Sequence, residues 1–197
     1  VFARIGLYLV NTGDLREYAK AFGLGVAIPF ILPTEASDIM QADSSFAVAE
    51  LASGFNRLTT LSPLAGALMA ASIIEDGVMP FPSLIDSALD VRTTKVIYRG
   101  TTGVWRSSVA PETAAQLRRL MTKVAQYGTA RKSFRFVKSS HQFRDLEYGG
   151  KTGTVNMDTL GRVDWFVGMV RHPTDSRQRL AVSVVTTHGD YWTVHSS

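Results

Sequence analysis

Three β-rich runs near the C-terminal end constrain the fold of this sequence more than any other feature. They are KTGTVNM at 151–157, VDWFVGMV at 163–170 and LAVSVVTT at 180–187, and each is rich in β-branched or aromatic residues. The polar stretches DTLGR and RHPTDSRQR lie between them and carry the Gly and Pro residues typical of turns. Such an arrangement predicts three antiparallel strands joined as a meander.

Helices are predicted ahead of these strands. In LSPLAGALMAASIIEDG (61–77), Ser62 is suited to cap the first turn, Pro63 to the first helical position and Gly77 to termination. Apolar residues occur all round this helix, which predicts that it is buried. A second helix is predicted at 111–127, with an apolar stripe formed by Ala114, Leu117, Leu120, Met121 and Val124.

The first third of the sequence has weaker signals. Residues 1–10 have helical character but no capping residue before them, and 14–25 predicts a short helix that starts at Asp14 and ends at Gly23. The proline-containing stretch 26–38 predicts an extended connection. Helices followed by an antiparallel sheet predict an α+β domain with the helices packed on the sheet.

Composition excludes several classes of function. The 197 residues suit one domain or part of a larger one, and 45% hydrophobic residues are enough for a core. A net charge of +4 without a continuous basic stripe argues against nucleic-acid binding. The chain has no cysteine, its four histidines lack metalloprotease spacing, and its longest apolar run is too short to cross a bilayer. We therefore predict no metal site and no membrane span within this chain.

The segment GGKTGT (149–154) contains the Gly-Lys-Thr triplet that ends nucleotide phosphate loops, but the rest of that pattern is absent. The first glycine of the loop is replaced by Asp145, whose carboxylate would repel a phosphate. A phosphate loop also opens a helix, whereas the residues after Thr152 favour a strand. The lysine of this triplet therefore faces a different anion.

The order of several segments resembles the transpeptidase domain of penicillin-binding proteins, the serine enzymes that crosslink peptidoglycan. The segments are VFARIG and YAKAFGLG, then ASGFNRLTTLSPLAGALMAASIIEDGVM, then GTARKSF, then GGKTGT, then DWFVGMV, and by this resemblance VFARIG lies just after the family's Ser-x-Asn motif. The resemblance covers nearly the whole chain. It implies the fold that these transpeptidases share with serine β-lactamases, and it identifies Lys151-Thr-Gly as the third motif of the family.

The two other family motifs are missing from this chain. No serine is followed three places later by lysine, and no Ser-x-Asn occurs; 129–132 and 154–156 are only threonine look-alikes at other places in the family pattern. We therefore interpret residues 1–197 as the C-terminal part of a single transpeptidase domain, beginning just after the second motif. The nucleophile is predicted to lie outside this chain.

The resemblance also assigns roles to four consecutive residues on one wall of the cleft. Lys151 and Thr152 are implied to belong to the catalytic set, Lys151 by directing a fixed positive charge at the terminal carboxylate of the substrate. Gly153 and Thr154 are implied to bind substrate. Gly153 lets a ligand backbone approach closely, while Thr154 offers a hydroxyl to the carboxylate and a backbone N–H to the oxyanion.

Several neighbouring residues favour structural roles. Trp165 and Phe166 are interpreted as packing residues of their strand, and Asp164 as a solvated or paired acid at a strand end. The basic stretch TARKSFRFVK (129–138) suits contact with an acidic partner or glycan, but a solvated loop after a helix is the simpler interpretation.

The resemblance implies a peptidoglycan D,D-transpeptidase, acylated by D-Ala-D-Ala stem peptides and by β-lactam antibiotics, without a cofactor. Its implied partners are the stem peptide, β-lactams and the N-terminal remainder of the same domain, and its implied location is extracytoplasmic, with an anchor outside this chain. Two alternatives stay open. One is a β-lactamase or β-lactam sensor of the same fold, and the other is a catalytically inactive scaffold or interaction domain.

Overall fold

The three predicted strands form one antiparallel sheet at the C-terminal end. In this computed structural model, which describes residues 1–157 and 161–188, the strands are β5 (Glu147–Met157), β6 (Gly161–Arg171) and β7 (Arg179–His188). They pair antiparallel in the order β5-β6-β7, with Lys151 opposite Val167. The predicted meander is confirmed; β6 and β7 extend beyond their predicted bounds at both ends, whereas β5 begins earlier than predicted and ends at Met157 as predicted.

Helix α4 (Pro63–Ile74) packs on β6 and β7, as the apolar residues around it predict. The Ser62 hydroxyl accepts the Ala65 backbone N–H at 3.1 Å and caps the first turn. Gly66 faces the sheet, where an added Cβ would lie 3.2 Å from a methyl group of Val167. The glycine therefore allows α4 to approach the sheet closely.

Helix α5 (Pro111–Gln126) packs on β5, but its buried face differs from the predicted stripe. Leu120 is 58% exposed, whereas Arg118 is only 6% exposed. The Arg118 guanidinium donates to the Ile73 carbonyl at 2.6 Å and pairs with Asp76 at 2.8 Å. Arg118 thus satisfies the C-terminal end of α4, and the buried positions of α5 follow this contact rather than hydrophobicity alone.

The first part of the chain forms three helices, α1 (Phe2–Tyr8), α2 (Thr12–Ala21) and α3 (Ser45–Ser53). Helix α1 has no side-chain cap, as its sequence predicts, and it packs against α3. Helix α2 begins earlier than predicted because Asn11 is its cap. Asp14, the predicted start, is instead the third helical residue, and it completes a capping box with Asn11.

Smaller elements complete the described chain. Strand β1 (Val78–Pro80) pairs with β4 (Val104–Ser107), and β2 (Ser87–Leu89) pairs with β3 (Val96–Arg99) in an exposed hairpin. Helix α6 (Arg135–Ser139) and a single 3₁₀ turn (His141–Phe143) precede β5. The sequence did not predict helix α3 or strands β1 to β4, since none of them has a long periodic pattern.

Two hydrophobic clusters hold the helices and the sheet together. One contains Ile74 of α4, Met121 of α5 and Met169 of β6, and the other surrounds Leu68 and Met79. The first cluster joins both long helices to the sheet, which confirms the α+β architecture. Among the residues that the structure describes, no helix combines the length and apolar character that crossing a membrane requires.

Candidate functional site

The segment GGKTGT lies on β5, which is an edge strand of the described part of the chain. β5 pairs with β6 along one side and with no other described strand. Every second residue of an edge strand directs its backbone N–H and C=O away from its neighbour, where an extended ligand can pair with them. All four predicted site residues are therefore on a strand that offers a free backbone edge.

Lys151 lies on the face of β5 that the helices cover, but its side chain is exposed. It shares this face with Gly149, since side chains alternate along a strand, and Gly149 touches the backbone of α5. The Lys151 Nζ donates to the carbonyl oxygen of Thr152. No carboxylate within residues 1–157 and 161–188 forms an ion pair with Lys151. Its positive charge is thus available to an anionic ligand.

The side chains of Thr152 and Thr154 project from the opposite face of β5, and both hydroxyls form hydrogen bonds to other side chains. The Thr152 Oγ1 lies 2.7 Å from Thr129 Oγ1, and the Thr154 Oγ1 donates to Asp164 Oδ1 at 2.5 Å. The two hydroxyls and the Lys151 ammonium therefore share one ligand only if that ligand lies along the edge of the strand. Their assignment to a single substrate carboxylate stays a prediction.

Asp164 is a buried anchor for Thr154. Its side chain is directly opposite Thr154 in the register of β5 and β6 and is 5% exposed, so the solvated interpretation was wrong and the paired one is confirmed. Asp164 Oδ1 also accepts from Arg162 Nε at 3.2 Å, and Oδ2 lies 3.4 Å from Nε2 of the buried His188.

The charge of Asp164 is maintained by these contacts. Burial by itself raises the pKa of the Asp164 carboxyl. Hydrogen bonds from Thr154 and Arg162, together with the charges of Arg162 and His188, lower this pKa by more than burial raises it. The pKa of Asp164 is consequently below its ordinary value. Near neutral pH, Asp164 is an anion that accepts the Thr154 hydroxyl proton and fixes the orientation of that hydroxyl.

The glycines of β5 meet different surroundings. A Cβ at Gly149 would overlap backbone atoms of Met121 and Thr122, and one at Gly150 would overlap the Phe166 ring. A Cβ at Gly153 would meet only the Cβ of Trp165, at an ordinary distance of 3.4 Å. Packing within the described chain therefore requires glycine at 149 and 150 but not at 153.

The segment before β5 is attached to the strand rather than free in solvent. Thr129 contacts Thr152, and the Phe134 ring stacks on Tyr148 with ring centres 5.5 Å apart and also contacts Phe166 at 5.8 Å. The stretch 129–138, interpreted as a solvated loop, instead contains turns, a packed aromatic ring and the start of α6. Phe166 is buried, which confirms its structural interpretation, and Trp165 is half-buried beside Gly153.

The structure therefore adds Thr129 and Asp164 to the predicted site residues. Asp164 is a polar residue within an apolar strand run, which is a usable sequence signal, but its partner depends on strand register. Thr129 carried no signal of its own, because its contact with Thr152 joins residues 23 positions apart.

Comparison with known proteins identifies the family. The family model for the penicillin binding protein transpeptidase domain matches residues 1–197. The chain belongs to this family. A search of curated proteins finds no significant match.

Solved transpeptidase structures share the fold of this chain. Penicillin-binding protein A from M. tuberculosis, as an imipenem acyl-enzyme complex, is 24% identical with a TM-score of 0.77, covering 93% of this chain and 39% of that one. Its penicillin G acyl-enzyme complex is 26% identical with a TM-score of 0.71 at the same coverage. The D,D-transpeptidase domain of a peptidoglycan glycosyltransferase from Eggerthella lenta is 22% identical with a TM-score of 0.75, covering 94% and 45%.

These matches confirm the family and the fold that the sequence resemblance implied. The chain spans about two fifths of the length of these structures. The fold is accordingly that of the penicillin-binding transpeptidases, with antiparallel strands and helices packed on them, and the matched region contains the Lys-Thr-Gly strand.

Proposed function

We propose that residues 1–197 are the C-terminal part of a single peptidoglycan D,D-transpeptidase domain and form the Lys-Thr-Gly wall of its active site. The nucleophilic serine and the second motif belong to the N-terminal remainder of that domain, which is the first partner of this chain. The absence of Ser-x-x-Lys and Ser-x-Asn from the 197 residues supports this division.

The proposal is supported chiefly by Lys151, which is exposed and forms no ion pair within residues 1–157 and 161–188. It lies on a strand with a free edge among the described strands, two residues before a glycine that packing of the described chain does not require. An ammonium without a carboxylate partner attracts an anion, and the space beside Gly153 admits a ligand backbone. An acyl-donor peptide that ends in a carboxylate has both features. Lys151 binds its terminal charge while the peptide lies along β5.

Within this assignment, each of these residues has a distinct role in the reaction. Lys151 and Thr152 belong to the catalytic set, with Lys151 holding the substrate carboxylate near the nucleophile. The Thr154 backbone N–H is one oxyanion donor, worth roughly 3 kcal/mol of transition-state stabilisation by analogy with other acyl-transfer enzymes. Asp164 holds the Thr154 side chain, and thereby steadies the backbone on which that donor depends.

We further propose that β-lactams acylate the complete domain. Two of the structural neighbours are acyl-enzyme complexes, with imipenem and with penicillin G. A β-lactam carries a carboxylate beside a reactive carbonyl, which suits the same lysine and oxyanion site. Peptidoglycan lies outside the cytoplasm, so the proposed substrate implies an extracytoplasmic location.

Labelling with a fluorescent penicillin tests the proposal. The 197-residue chain alone should not be labelled, because covalent catalysis needs a nucleophile beside its base. The complete domain should be labelled stoichiometrically, and the label should resist boiling. Labelling of the 197-residue chain would refute the division of motifs.

The same experiment separates the alternatives. A complete domain that never acquires label supports the inactive scaffold, and rapid loss of label by hydrolysis supports the β-lactamase. A transpeptidase retains the label. Without penicillin, it transfers the acyl part of a D-Ala-D-Ala peptide to an added amine and releases the terminal D-Ala, and mass spectrometry detects the product. A β-lactam sensor retains the label without forming this product.

A further inference from the structure

Positive charge is concentrated in one segment of this chain, just before β5. Residues 113–144 contain eight of the 21 lysine and arginine residues and none of the 17 aspartate and glutamate residues. The rest of the chain therefore has 13 basic against 17 acidic residues. The net positive charge of the chain therefore comes from this segment. Charge concentrated in one place favours anion binding at that place over a general affinity of the whole surface for anions.

Four of these basic residues surround one surface cavity, here called the basic cavity. It has a volume of about 710 Å³ and is lined by Arg131, Lys132, Arg135, Lys138 and Ser139, all of which are exposed. Within the described ranges, 1–157 and 161–188, none of the four cations forms an ion pair. Like charges at this density repel one another, so an anion in the cavity relieves the repulsion.

The basic cavity is held against the candidate site. Thr129 contacts Thr152 at 2.7 Å, and Phe134 stacks on Tyr148 of the same strand. Arg131 and Lys132 lie between Thr129 and Phe134 in the sequence, so both ends of this short stretch contact β5. Because consecutive Cα atoms are about 3.8 Å apart, the Arg131 Cα lies at most roughly 7.6 Å from that of Thr129. The cations therefore begin within a short distance of Thr152.

We propose that the basic cavity binds carboxylate groups of an extended acidic peptide that lies along the free edge of β5. The proposal rests on the proposed function, since it assigns the cavity to the peptide that this strand receives. An extended peptide advances about 3.3 Å per residue, so two or three of its residues span a length equal to the step of roughly 7.6 Å from Thr129 to Arg131. Arginine binds carboxylates through two parallel hydrogen bonds, and carboxylates are the anions that an unmodified peptide carries.

The cavity thus determines which peptides the domain prefers. Lys151 selects for a terminal carboxylate, and the basic cavity selects for acidic side chains farther along the same peptide. A neutral peptide of equal length makes the same strand contacts but leaves the four cations unpaired.

Fluorescence anisotropy on the complete domain tests this site with a labelled peptide that contains three glutamates. We expect this peptide to bind at low ionic strength and the matched glutamine peptide to bind at least tenfold more weakly. The triple variant R131Q/K132Q/R135Q should weaken binding of the glutamate peptide at least tenfold. Raising the salt concentration should weaken it in the same way, because surface charge pairs are screened.

The matched control is R92Q/K95Q/R99Q in the exposed hairpin of β2 and β3. It removes the same three charges from side chains that are also exposed, so net charge falls equally in both variants. The control should bind the glutamate peptide within threefold of the parent chain. Thermal melting of both variants verifies that the fold is retained. Among the described residues, none of the six side chains forms a hydrogen bond or an ion pair, so little loss of stability is expected.

Three results would overturn the proposal. They are equal weakening by both triple variants, equal binding of the glutamate and glutamine peptides, and binding of tripolyphosphate with no binding of the glutamate peptide, which would indicate a phosphate polymer instead. Penicillin labelling of the complete domain is measured separately. A domain that binds the glutamate peptide but is never acylated would contradict the proposed function alone.

Discussion

Gly149 and Gly153 lie on the same face of strand β5, four residues apart, and their surroundings differ. At Gly149 the backbone of helix α5 occupies the space of a side chain, whereas at Gly153 only Trp165 is near, at an ordinary contact distance. The first half of the GGKTGT segment is therefore packed against the helices. The second half has an open face, an exposed lysine and a free backbone edge.

Glycine therefore occurs at these two positions for different physical reasons. Glycine at 149 is explained by the fold, because a larger residue would push α5 away from the sheet. Glycine at 153 has no such explanation within the described chain and fits the close approach of a ligand. One strand therefore has a structural half, 147–150, and a candidate binding half, 151–154.

The largest expected effect is on the binding half. In the complete domain, Lys151→Ala should lower the second-order rate of penicillin acylation on the order of 100-fold, about 2.7 kcal/mol, because a fixed charge in the cleft stabilises the transition state. Its effect on thermal stability should be about 1 kcal/mol or less, as for other exposed charges. Stopped-flow acylation and melting of the same samples measure both.

The control for this variant is Lys95→Ala, which removes an exposed lysine from the hairpin far along the chain. It should leave both quantities unchanged. Acylation of Lys151→Ala within about twofold of the parent, only ~0.4 kcal/mol, would mean that Lys151 is merely solvated.

The next effect is on the structural half. Gly149→Ala should destabilise the chain by about 2 kcal/mol, because the new Cβ overlaps the backbone of Met121. At this chain length the melting temperature should fall on the order of 4–8 °C. Gly153→Ala is the matched comparison, and its stability should stay within about 0.5 kcal/mol of the parent. Equal melting shifts for the two variants would abolish the distinction between the halves.

Asp164→Asn tests the buried carboxylate that joins the binding half to β6. It should destabilise the chain by about 1.5 kcal/mol, since the charge that Arg162 and His188 face is removed. Because the pKa of Asp164 is lowered in the folded state, its contribution is present above the ordinary value of 3.8 and is lost as the pH falls below it towards the folded pKa.

Urea denaturation between pH 7 and pH 3 measures this contribution. The parent chain should lose more stability than the variant as the pH falls below about 4, because only the parent carries this carboxylate. Asp86→Asn, at an exposed position, is the control, and its stability should change with pH as that of the parent does. Parallel curves for the parent and Asp164→Asn would contradict the role of the carboxylate.

The smallest expected effect is that of Thr154→Val in the complete domain. The substitution removes the hydroxyl but preserves shape and the backbone N–H, so acylation should fall about fivefold, ~1 kcal/mol. Acylation rates over a series of penicillins measure it, with Thr187→Val on β7 as the control for a strand threonine. A loss as large as that of Lys151→Ala would instead show that the hydroxyl itself is a principal binding group.

Much of the fold could be predicted from local patterns. Runs of β-branched and aromatic residues separated by turn residues identified the three strands, and the Ser62-Pro63 pair identified the start of α4, because caps and turns involve residues close in sequence. Helix α3 and the short strands escaped prediction, since a few residues carry too little periodicity. The apolar stripe of α5 was partly wrong because Arg118 is buried by its bonds to the end of α4, which no pattern within α5 reveals.

For the candidate site, the sequence alone determined which four residues stand together and that they lie on a strand. Only the tertiary structure decided that this strand is an edge among the described strands, that Lys151 has no acidic partner in the described chain, and that Thr154 donates to a buried Asp164. It also decided that Thr129 and Phe134 attach a basic cavity to the same strand. The physical reason is that hydrogen bonds across a sheet depend on register, and burial depends on elements distant in sequence, so neither follows from neighbouring residues.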